Sequence, residues 1–65
     1  MEELIPPDQQ FARLLWDLQW TNEETAQRLD VSLRSVYNWL TGVHRVPTVV
    51  LKYLELLVER NKASI

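Results

Sequence analysis

The chain has 65 residues, 46% of them hydrophobic, with no cysteine, one glycine and a formal charge of −2. A chain this short buries only roughly 60% of the surface its unfolded form exposes, which leaves room for one domain (residues 1–65) and no deep catalytic cleft. Without a thiol, and with one histidine, neither a disulfide nor a structural zinc site is available, so self-association is the remaining way to bury more surface.

No basic segment followed by an apolar stretch stands at the N-terminus, and no apolar run approaches the roughly 20 residues needed to span a bilayer. A cytoplasmic protein without membrane contact is expected. Period-two alternation between glycine turns is absent while helix punctuation is plentiful, which predicts an all-α, compact four-helix domain, of about four to five helices.

Residues 1–6 form an acidic tail. Pro7 suits the first position of a helix, and Asp8 places a negative charge in its first turn, where the helix dipole favours it. Phe11, Leu14, Leu15 and Leu18 then recur at three-and-four spacing, giving a first helix over Pro7 to Leu18. Trp16 lies off that stripe and is either partly exposed or packed on the last helix; Trp20 is expected in the core.

Thr21 followed by Glu24 is a capping box, with the hydroxyl accepting from an early amide and the carboxylate reaching back to the amide of Thr21. It opens a second helix, Asn22 to Leu29, with Thr25, Ala26 and Leu29 inward. The chain breaks at Asp30, and Ser32 caps a third helix, Leu33 to Thr41, with Val36, Trp39 and Leu40 inward and Gly42 as its left-handed terminator. After the loop Val43 to Pro47, Thr48 caps a last helix of about Val49 to Asn61.

Two short helices separated by about three residues, with the small Ala26 in the first, must cross steeply; residues 21–42 therefore predict a helix-turn-helix with one face of its second helix free. At about 100° per residue that face carries Arg34, Tyr37, Asn38 and Thr41, with Ser35 at its edge. Arg34 suits guanine and Asn38 suits adenine, and Ser32, Ser35, Tyr37 and Thr41 can reach phosphates or bases.

The stretch TNEETAQRLDVSLRSVYNWLTG, Thr21 to Gly42, resembles the helix-turn-helix of the lambda repressor and Cro class, the xenobiotic-response-element class. Through VHRVPTVVLKYLELL the similarity runs to about Leu57. The resemblance implies base-facing positions at Ser32, Leu33, Arg34, Tyr37, Asn38 and Thr41, and phosphate-facing ones at Asn22, His44 and Arg45. Thr21 and Arg28 are added to the phosphate set. Where the family has glycine, this chain has Asp30 in the inter-helix turn and Gln19 after the first helix. Aspartate tolerates the left-handed region, whereas Gln19 suggests a first helix that ends differently. Asn22 stands for the family's glutamine, with shorter reach.

The last helix is apolar over most of its circumference. Val50, Leu54 and Leu57 form one stripe, Val49, Tyr53 and Leu56 another, and Leu51 with Val58 a third. A small domain covers one side only, which predicts a homodimer through Leu51, Tyr53, Leu56 and Val58 on the segment 48–61; the alternative is a monomer with these residues under the N-terminal tail. A twofold dimer would set two recognition helices roughly 34 Å apart on a palindromic site.

These features together predict a sequence-specific regulator of double-stranded DNA, a homodimeric repressor on an inverted repeat in a bacterial cell, phage- or mobile-element-encoded by resemblance. No cofactor, metal or small-molecule ligand is expected, and no nucleophile, base and orienter set supports enzyme chemistry. The competing class is a protein-interaction module, an antirepressor or adaptor, using the last helix and Trp16. Acidity speaks against nucleic acid, but Glu2, Glu3 and Asp8 hold three of the nine acids at the N-terminus, and residues 9–65 carry seven bases against six acids. Few phosphate contacts and dependence on dimerisation and base readout follow.

Overall fold

The computed structural model describes residues 6–63, which form four α-helices and, among them, no strand. Apart from Pro6, the expected acidic tail lies outside the described residues. The helices are α1 (Pro7–Leu18), α2 (Asn22–Leu29), α3 (Leu33–Thr41) and α4 (Thr48–Ala63). The first three have the predicted bounds, and α4 is longer at both ends.

Local chemistry accounts for the ends. Pro6 stands before α1 in an extended conformation, and its carbonyl accepts from Gln10 at 2.9 Å. Thr21 accepts from the Glu24 amide at 3.0 Å, but the reciprocal half of the capping box does not form, because the Glu24 carboxylate turns to Arg28, 3.0 Å away. Ser32 caps α3 by accepting from Ser35 N–H at 3.1 Å. The expected Thr48 cap is also corrected: Val50 and Leu51 donate to the carbonyl of Pro47, at 3.0 and 3.3 Å, so Pro47 holds the capping position and Thr48 is already helical.

The ends of α1 and α2 are built alike. Gln19 lies at φ 60°, ψ 35° and Asp30 at φ 57°, ψ 46°. In each case the next amide reaches back five residues, Trp20 N–H to Leu15 O at 3.1 Å and Val31 N–H to Ala26 O at 3.0 Å. This is the Schellman ending, which fixes the orphan carbonyls of the last turn. Helix one therefore closes by the left-handed route despite lacking glycine, contrary to the expectation drawn from Gln19.

Packing follows the stripes. α1 lies against both α3 and α4, and α2 lies against α3. The core comprises Phe11, Leu14 and Leu15 of α1, Ala26 of α2, Val36 of α3, Val46 of the loop, and Leu51 and Leu54 of α4. Trp20, Leu29, Trp39 and Leu40 pack around it half-buried. The buried Thr25 satisfies its hydroxyl on the Thr21 carbonyl at 2.8 Å. Gln10 of α1 donates to the Glu55 carboxylate of α4 on the surface.

Two corrections concern expected site residues. Leu51 is turned into the domain's own core and is not available to a second copy. Leu33, three residues before Val36 and seven before Leu40, packs half-buried against the core on the same side of α3, so it is not a free base-facing residue. The molecule is flat, 35 × 34 × 18 Å. No helix among the described residues is long and apolar enough to cross a membrane.

Candidate nucleic-acid interface

The free face of α3 opposes the side that carries Val36. Arg34, Tyr37, Asn38 and Thr41 stand at i, i+3, i+4 and i+7, which confines them to an arc of about 100° on a helix of 3.6 residues per turn. Arg34, Tyr37 and Thr41 are exposed and Asn38 is half-buried. Among the described residues the side chains of Arg34, Tyr37 and Asn38 make no hydrogen bond or ion pair within the chain. They hold a guanidinium fork, a phenol and an amide ready for an outside partner.

The hydroxyls nearby are committed. Ser32 and Ser35 share a 3.0 Å hydrogen bond in addition to the cap. Thr41 donates to the carbonyl of Tyr37 at 2.9 Å, with the Asn38 carbonyl 3.4 Å away. Thr21 serves the cap of α2, and Asn22 is half-buried at the first position of that helix.

The loop after α3 is fixed in two ways. His44 N–H donates to the Asn38 carbonyl at 3.2 Å, and Val46 is sunk into the core at 2% exposure. His44 and Arg45 consequently stay exposed beside the end of α3. Val46 carries a signal for this in the sequence, as an apolar residue directly before Pro47 in the loop.

The start of α1 returns to the same place. Pro7, Asp8, Gly42, His44, Arg45 and Val46 line one shallow cleft of 260 Å³. The Asp8 carboxylate lies so close to Gly42 that a β-carbon there would stand 3.6 Å from it. Asp8, counted by sequence among the N-terminal acids, thus lines the same cleft as His44 and Arg45.

Arg28 is placed elsewhere. It bonds Glu24, covers the ring of Trp20 with its guanidinium 4.8 Å from the centroid, and lines a cleft with Leu18, Trp20, Tyr53, Leu57 and Asn61. No α3 residue lines that cleft, so the structure does not bring Arg28 to the free face of α3. Along α4 Val49, Tyr53 and Leu56 are exposed, and Val58 is half-buried against the core. Trp16, with its two alternatives open from sequence, is 82% exposed.

Among the described residues no group of three or more His, Asp or Glu side chains is placed to hold a metal ion. Comparison with curated proteins and with solved structures gave no significant match. A family model described as a homeodomain-like domain matches residues 9–45, which span all but the first two residues of α1, the α2–turn–α3 unit and the loop as far as Arg45. The match covers more than half of the chain and contains the whole free face of α3, and on that ground the chain belongs to the homeodomain-like family of helix-turn-helix DNA-binding domains.

Proposed function

We propose that this protein is a non-catalytic, sequence-specific transcriptional regulator that places α3 in the major groove of double-stranded DNA. The observation that carries this reading is the arc of Arg34, Tyr37 and Asn38, free of internal partners on a helix anchored from behind. Arg34 supplies a bidentate donor for guanine and Asn38 a donor–acceptor pair for adenine. The Ser35 edge, the exposed Thr21, His44 and Arg45, and the half-buried Asn22 supply the surrounding sugar–phosphate contacts that set the register.

The repressor mode, the inverted-repeat operator and the homodimer belong to the same proposal. Support for the dimer is now narrower than the sequence implied. One stripe of α4, Val49, Tyr53 and Leu56 at i, i+4 and i+7, remains exposed after the domain has used its other apolar residues. Covering it with a second copy would give two recognition helices about one duplex turn apart, and would compensate for a surface with few cations. The Cro-type resemblance of residues 21–42 supports a phage or mobile-element gene acting in a bacterial cytoplasm.

A second reading, a protein-interaction module, is favoured by one observation, the 82% exposure of Trp16 on α1. Selection from a random duplex library at low salt separates the two. An enriched inverted repeat is the expected result, and an Arg34→Ala variant should lose about 1 to 3 kcal/mol at one defined base position. Absence of any enriched duplex would overturn the regulator and leave the interaction module.

A further inference from the structure

Thr41 differs from its neighbours on the arc in one respect, the fate of its polar atom. The hydroxyl is held on the preceding turn, 2.9 Å from the Tyr37 carbonyl and 3.4 Å from that of Asn38. A threonine β-carbon carries one hydroxyl and one methyl, and when the hydroxyl bonds back to the helix the methyl becomes the outward substituent. Thr41 itself is exposed. A residue type that suggests hydrogen bonding therefore presents an apolar surface to whatever lies against α3.

The position of that methyl gives it a partner. Thr41 projects from the middle of the arc, between the directions of Tyr37 and Asn38 and about two turns along the axis from Arg34. In the major groove the one apolar feature of a base edge is the 5-methyl group of a pyrimidine. Donating to a phosphate would require the Thr41 hydroxyl to leave its carbonyl, whereas contact with a methyl requires no rearrangement.

We propose that Thr41 is a specificity-determining residue that reads a pyrimidine 5-methyl group in the major groove. The inference rests on the DNA-binding reading above and adds to it a base preference at the C-terminal end of α3. Asn38 and Arg34 discriminate by hydrogen bonds, and Thr41 discriminates by burial of a methyl.

The test uses the full chain and the duplex enriched from the random library. Each thymine is replaced in turn by uracil, which removes only the methyl, and at the sensitive position cytosine is compared with 5-methylcytosine. Burial of one methyl predicts a loss of about fourfold at one position for the wild type. Sensitivity to uracil identifies thymine as the source of the methyl, and a gain on cytosine methylation identifies methylated cytosine as an accepted source. Thr41→Val, which keeps a methyl, should keep the discrimination; Thr41→Ser, which keeps the hydroxyl and its backbone bond, should abolish it. A duplex bound with no methyl-sensitive position, or equal discrimination by Thr41→Ser and the wild type, overturns the assignment of Thr41 alone. Failure to enrich any duplex overturns the DNA-binding reading and this inference with it.

Discussion

The ring of Phe11 meets that of Trp39 edge to face, with centroids 5.5 Å apart and planes at 90°. This contact ties α1 to the back of α3, since Phe11 is fully buried and Trp39 belongs to the helix that carries the free arc. The orientation of α3 therefore depends on a side chain more than twenty residues upstream of it. The T-shaped arrangement suits the quadrupoles of two aromatic rings.

Truncation at this contact should unfold the domain. Phe11→Ala removes a fully buried aromatic ring and costs about 3 to 5 kcal/mol, similar to the whole stability available to a core of this size. Urea unfolding followed by circular dichroism should find the variant mostly unfolded at 37 °C, whereas Phe11→Leu retains a cooperative transition. A Phe11→Ala variant as stable as the wild type would show that the Phe11–Trp39 contact does not hold α3.

Gln19 occupies a left-handed conformation that strains any residue with a β-carbon. Gln19→Gly removes a backbone cost of about 1 kcal/mol, partly offset by the freedom glycine gains in the unfolded chain. The expected result is a melting temperature higher by up to about 4 to 8 °C. Asp30→Gly should gain less, because aspartate tolerates this region better than glutamine. A lower melting temperature for Gln19→Gly would show that the Gln19 side chain has a stabilising role of its own.

Ser32 is expected to matter chiefly as a cap. Ser32→Ala should cost about 1 kcal/mol of stability, while Ser32→Asn, an equally good cap, should cost little. If the asparagine variant nevertheless loses DNA affinity in an anisotropy titration, Ser32 also contacts the duplex.

Asp8 should weaken DNA binding through its position beside His44 and Arg45. Replacing it by asparagine removes a negative charge from the cleft and should raise affinity for nonspecific duplex severalfold at low salt, with the gain shrinking as salt screens it. Identical affinities for Asp8→Asn and wild type across a salt series would place the 43–46 loop away from the phosphates.

The two leucines of α4 should respond oppositely to a charge. Leu56→Lys leaves the core intact and should give a folded monomer in sedimentation, while Leu51→Lys places an unpaired charge in the core and should unfold the chain. A wild type that is already monomeric at micromolar concentration removes the dimer from the proposed function.

The sequence by itself determined the four helices and the bounds of the first three. Periodicity, Pro7, Ser32 and Gly42 act within a few residues, and for that reason the bounds of α1, α2 and α3 were legible before any packing was known. The free arc of α3 was legible as well, because Val36 fixes the inward direction and a helix is regular enough to give the opposite one. Direction along one helix is a local property; commitment of a side chain to a particular neighbour is not. Only the tertiary structure sent Leu33 and Leu51 into the core and narrowed the exposed apolar side of α4 to Val49, Tyr53 and Leu56. It also brought Asp8, at the start of α1, to the cleft lined by His44 and Arg45. Each of these depends on how helices distant in sequence lie against one another, and a one-dimensional pattern of charge and hydropathy does not encode which of several apolar stripes a neighbouring helix will cover.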